Sequence, residues 1–75
     1  MSKKRFVDFY LSAMMKAATN GRVLRLTYAC AEGKHLPAKE YVSIALEDQA
    51  SVPVPVTDCD LLGIVLEVVK AVQGL

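Results

Sequence analysis

The sequence predicts a small α+β domain spanning residues 1–75, in the order α-β-β-(β)-α. An antiparallel sheet of two or three strands should carry two helices on one face. Three observations point there. Apolar residues recur at helical spacing over the first twenty positions, the period changes to two through the middle of the chain, and helical spacing returns after position 60.

Residues 3–20 read as a helix, because Phe6, Phe9, Tyr10, Ala13, Met14 and Ala17 follow the i, i+3, i+4, i+7 pattern. Val7, Leu11, Met15 and Ala18 widen the apolar sector, leaving Arg5, Asp8, Ser12, Lys16 and Thr19 as one narrow polar stripe. Asn20-Gly21 is the stop signal, since both residue types accept a left-handed backbone.

Val23–Cys30 reads as a strand with Leu24, Leu26, Tyr28 and Cys30 on one face and Val23, Arg25, Thr27 and Ala29 on the other. Ala31 to Lys34 is the expected turn. Pro37 should precede or open the return strand, Ala38–Leu46, because it cannot donate a ladder hydrogen bond. Val42, Ile44 and Leu46 share one face of that strand; Lys39, Tyr41, Ser43 and Ala45 share the other.

A polar connection, residues 47–51, leads to Val52-Pro53-Val54-Pro55-Val56. In an extended strand both prolines put their missing N–H on one rim, so the segment suits a blocked sheet edge; unpaired polyproline II is the rival reading. Thr57 is a candidate cap, followed by a helix over Leu61–Gln73 with Gly74 as its terminator. The β-branched content of that stretch (Ile64, Val65, Val68, Val69, Val72) argues for a strand. Alternation is poor, however, and Asp60, Gly63, Glu67 and Lys70 stand at three- and four-residue steps, which favours the helix.

Composition narrows the function classes. The 75 residues are 53% hydrophobic and 23% charged, above the roughly 45–50% apolar of ordinary domains, in a chain that buries only about 60–65% of its unfolded surface. Cys30 and Cys59 form no CxxC and, with the single His35, make no zinc set; two reduced thiols in a cytoplasmic protein are expected. Lys, Asp and Ser interrupt the apolar N-terminal stretch, so no secretory signal is read, and no run approaches the ~20 residues needed to span a bilayer. His35 has Cys30 and Glu32 near it in sequence, but both sit on a short hairpin with no obvious pocket, and Asp58 with Asp60 diverge at a helix start. No catalytic residue, metal site or cofactor is expected, and the chain is not read as an enzyme.

Two features point to binding. Both helices are roughly two-thirds apolar around their circumference, where a sheet-packed helix needs a stripe of about 100°. Phe6, Phe9, Tyr10, Met14 and Met15, with Val65 and Val69, are the candidate protein interface, and a homodimer is the expected partner state. Charge is also segregated: residues 1–25 carry net +5, residues 26–45 zero and residues 46–75 net −4. The ends can complement each other, or Lys3, Lys4 and Arg5 with Arg25, Lys39 and Tyr41 can touch nucleic acid.

The run Asn20-Gly-Arg-Val-Leu-Arg-Leu-Thr-Tyr28, with Gly33 and Lys39-Glu-Tyr-Val-Ser-Ile44, resembles the opening hairpin of WYL domains, which accompany prokaryotic transcription regulators. The likeness covers about a third of the chain, which has no Trp. It implies a nucleic-acid or ligand-sensing role as the alternative. The expected function is a small non-enzymatic interaction module (a regulator, adaptor or inhibitor), self-associating; the alternative is a nucleic-acid-binding regulator.

Overall fold

A single helix runs from Lys3 to Ala18, but not with a single pitch. In the computed structural model, which describes residues 1–30 and 39–75, Lys3–Arg5 and Ser12–Ala18 are α-helical and Phe6–Leu11 is a π-helical turn. Ser2 caps the start, its Oγ accepting from the Arg5 amide at 3.1 Å. The end is a Schellman motif: Gly21 N donates to Lys16 O at 2.8 Å and Asn20 N to Ala17 O at 3.2 Å, with Asn20 at φ 56° and Gly21 at φ 85°. The Asn-Gly signal therefore stops the helix at Ala18, two residues earlier than the periodicity suggests.

The three strands are β1 (Val23–Cys30), β2 (Glu40–Leu46) and β3 (Val52–Pro55), antiparallel in the order β1-β2-β3. Leu26 pairs with Ile44 and Tyr28 with Val42, which places their side chains on one buried face. Strict alternation fails at the start of β1. A register shift between Val23 and Arg25 turns Val23 into the core and leaves Leu24 exposed, the reverse of the simple period-two reading. Cys30, which alternation assigns to the core face, is exposed at the strand's end. The expected turn Ala31–Lys34, with His35, Pro37 and the first residue of the expected return strand, Ala38, lies outside the described residues.

The Val-Pro repeat is an edge strand. Val56 N donates to Glu40 O at 3.0 Å, Val54 faces Val42 and Val52 faces Ile44. The valine amides thus turn toward β2, and Pro53 and Pro55 line the outer rim, where no N–H is offered.

The second helix is Leu61–Gln73, with Ile64 and Val68 fully buried. Its cap is Asp60, not Thr57: Asp60 Oδ1 accepts from Gly63 N at 2.7 Å. Thr57 instead turns its Oγ1 back to the sheet, accepting from the amides of Lys39 and Glu40 at 2.9 and 3.2 Å.

One core joins both helices to the sheet. Val7, Leu11 and Met15 come from the first helix, Ile64 and Val68 from the second, and Leu26, Tyr28, Val42, Ile44, Leu46, Val54 and Val56 from the sheet. Burying each of the larger aliphatic side chains is worth about 1.5–3 kcal/mol against conformational entropy. The far face of the sheet carries no helix, and the molecule is flat, 36 × 28 × 17 Å among the described residues.

Candidate functional site

The first helix is mounted on the sheet by its polar stripe. Ser12 is buried; its Oγ donates to Leu26 O at 2.9 Å and accepts from Leu26 N at 2.6 Å. One turn earlier, Asp8 Oδ1 accepts from Tyr28 N at 2.7 Å, while Lys4 holds Asp8 Oδ2 at 2.7 Å and reaches Tyr28 O at 3.5 Å. Two turns later, Thr19 Oγ1 accepts from Val23 N at 3.0 Å. These are the amides and carbonyls that β1 turns away from β2, so helix side chains stand where a fourth strand would pair.

The spacing explains why this works. Four helical residues rise about 6 Å and two strand residues about 6.6 Å, so Asp8 and Ser12 meet Tyr28 and Leu26 in step. A regular α-helix would rotate the stripe by roughly 40° over each four residues. The π turn, with Ser12 N bonded to Val7 O, winds less per residue and keeps the stripe over the strand edge.

Turning the polar stripe inward turns the opposite side out. Phe9 is 71% exposed, Met14 54% and Tyr10 43%, with Ala13 and Ala17 also exposed beside them. Phe9 and Tyr10 form an edge-to-face pair with centroids 5.6 Å apart. Of the other expected interface residues, Phe6 is half-buried against the core and Met15 lies inside it, because Met15 shares the inward side with Leu11 and Ser12. Val65 and Val69 are half-buried against the core. The exposed apolar residues of the second helix are Leu62 and Leu66, one turn apart. They escape sequence reasoning because an almost wholly apolar helix hides its own phase.

The cationic residues do not assemble. Lys3 pairs with Glu40 at 2.9 Å and Lys4 with Asp8 at 2.7 Å. Arg5, Arg25 and Lys39 are exposed and Tyr41 is half-buried. Arg25 and Tyr41 share the open sheet face, but Arg25 pairs with Ala45, four positions from Tyr41. That is about 13 Å along the strand.

A second polar cluster ties the sheet's end together. Glu40 Oε1 accepts from Lys3 Nζ and from the Tyr28 hydroxyl, and its Oε2 accepts from Asp58 N at 2.9 Å. Asp58 takes a left-handed φ of 61° to present that amide. The Tyr28 hydroxyl, the Asp58 amide and the Lys3 ammonium hold the Glu40 carboxyl down at about 2. Tyr28 is raised well above its ordinary value by the Cys30 thiol, which donates to its oxygen at 3.3 Å, by Glu40 and by burial. Lys3 is raised chiefly by its bond to Glu40. This cluster joins the helix start, β1, β2 and the turn after β3. Sequence reasoning missed it because its bonded partners lie far apart in the chain, Lys3 and Glu40 being separated by 37 residues.

Among the described residues no group of three or more His, Cys, Asp and Glu side chains is placed to hold a metal ion, and no helix is long and apolar enough to cross a membrane. The chain matches no family model, curated protein or solved structure.

Proposed function

We propose that this chain is a non-enzymatic protein-interaction module, acting as a regulator, adaptor or inhibitor, and that it associates first with a second copy of itself. The observation that supports this is the outward face of the first helix, where Phe9, Tyr10 and Met14 stand exposed on an ordered, capped helix. Aromatic and Met side chains in that setting are the usual anchors of protein interfaces. Both sheet edges support the same reading by elimination. β1 is occupied by Asp8 and Ser12, and β3 offers a proline rim. Strand addition is thereby disfavoured, and side-chain packing is the remaining route to a partner.

The exposed area of Phe9, Tyr10 and Met14 is on the order of 300 Å² by ordinary side-chain sizes. A standard interface takes about 800 Å² per partner. Association through this face is therefore expected in the micromolar range. Sedimentation equilibrium at micromolar to millimolar concentration tests the reading. Concentration-dependent dimer in the parent and roughly a hundredfold weaker association in Phe9→Glu, with unchanged circular dichroism, are expected. A clean 8.2 kDa monomer throughout would refute self-association.

A further inference from the structure

We infer that the first helix carries one residue more than its seat on the sheet requires, and that the π turn holds this surplus so that two aromatic side chains stand on the outward face. The spacing of the inward residues shows the surplus. Val7, Leu11 and Met15 are buried in the core, and Thr19 Oγ1 accepts from Val23 N, so all four turn to the sheet. They recur every four residues, and twelve steps separate the first from the last. Three turns of regular α-helix take about eleven, and a helix of that pitch would carry Thr19 about 120° away from Val7. The π turn closes on the fifth residue instead of the fourth, with Ser12 N donating to Val7 O, and so absorbs the extra one.

The extra residue is one of two. Between Val7 and Ser12 lie Asp8, Phe9, Tyr10 and Leu11. Asp8 accepts from Tyr28 N and Leu11 is fully buried, so both serve the fold. Phe9 and Tyr10 are exposed and pack on each other edge to face. Removing either leaves Val7 O and Ser12 N four residues apart, the spacing of an ordinary α-helical bond, with the sheet-facing side chains still in step. The wide turn thus trades helical regularity for a second outward aromatic, the kind of side chain that anchors interfaces. This role in binding rests on the protein-interaction reading proposed above; the surplus itself does not.

A deletion and an insertion at the same place test the spacing on the full chain. Deleting Tyr10 is expected to leave a cooperative fold that melts within about 5 °C of the parent, with the Leu26 and Tyr28 amides still protected from hydrogen exchange. Inserting an alanine after Tyr10 puts a further step between Val7 and Thr19. It is expected to lower the melting temperature by at least ~15 °C or to abolish cooperative unfolding. A deletion as damaging as the insertion would overturn the surplus, because the parent spacing would then be the one the sheet requires. Sedimentation equilibrium reads the role of the second aromatic: self-association at least ~tenfold weaker in the deletion variant than in the parent is expected. A deletion variant that associates as tightly as the parent would overturn that role. A parent that stays monomeric at all concentrations would remove the self-association reading and the role with it, while the melting temperatures would still decide the surplus.

Discussion

Glu40 ties the end of the sheet to the helix start and to the turn after β3. Its carboxylate accepts from a lysine, a tyrosine and a backbone amide. Its folded-state value of about 2 lies below the ordinary 4.5, so the carboxylate stabilises the fold fully above pH 4.5. That contribution is lost as pH falls toward 2. Glu40→Gln is expected to lower stability by about 1–3 kcal/mol at pH 7, because charge-assisted bonds become neutral ones. Urea titrations at pH 7 and pH 2.5 check this: the gap between parent and variant at the second should shrink to roughly a quarter of that at the first. A gap of equal size at both pH values would show that the charge contributes nothing. Ser12 is the other decisive residue. Removing its hydroxyl in Ser12→Ala leaves both Leu26 N and Leu26 O without that partner at a buried site. A loss of about 2–4 kcal/mol in chemical unfolding is expected; a loss under ~0.5 kcal/mol would mean that the helix is held by apolar packing alone.

At the scale of elements, Gly21 and Gly63 behave differently. Gly21 closes the Schellman motif at φ 85° with open space around it, so Gly21→Ala meets no clash and carries only backbone strain, about 1–2 kcal/mol. Gly63 lies inside the second helix, where Gly→Ala ordinarily gains up to ~1 kcal/mol. Here a Cβ would come within 3.1 Å of the capping Asp60 oxygen and 3.2 Å of Cys59 Cβ. The gain should be cancelled, and a melting temperature no higher than the parent's is expected; a clear rise would mean that the cap yields without cost. The edge strand allows a third test. Pro53→Val with Pro55→Val restores two outward amides on β3, and light scattering should show concentration-dependent aggregation absent from the parent. A variant that stayed as soluble as the parent would show that the proline rim does not guard the edge.

For the whole molecule, the governing fact is the inversion of the first helix. Asp8, Ser12 and Thr19 of its polar stripe close the edge of β1, and its aromatic face is left outside. Both edges of the sheet are closed by different means, a helix on one side and prolines on the other, so among the described residues the sheet ends at three strands. The apolar surplus of the composition is thereby divided. Val7, Leu11, Met15, Ile64 and Val68 are absorbed by the core, and Phe9, Tyr10, Met14, Leu62 and Leu66 are presented to solvent. Lys3 pairs with Glu40 of the neutral middle segment and Lys4 with Asp8 on its own helix, so neither of these ion pairs joins the basic end to the acidic one.

Period and punctuation located both helices and the strands, and left the Val-Pro run open between a blocked edge and polyproline II. The helical spacing of Val7, Leu11 and Met15 and the Asn20-Gly21 stop are local signals, whereas the alternation of Val52-Pro53-Val54-Pro55 becomes an edge strand once β2 is there to pair with it. Tertiary structure decided which way the first helix faces. Hydropathy ranks Asp8 and Ser12 as outward and Phe9 as inward. A strand edge has no hydropathy signature, and its unpaired amides demand polar side chains that only the folded partner reveals. The bulge at Val23, the transfer of the cap from Thr57 to Asp60 and the Glu40 cluster are settled in the same way. Each depends on groups far apart in the chain that meet once the sheet has formed.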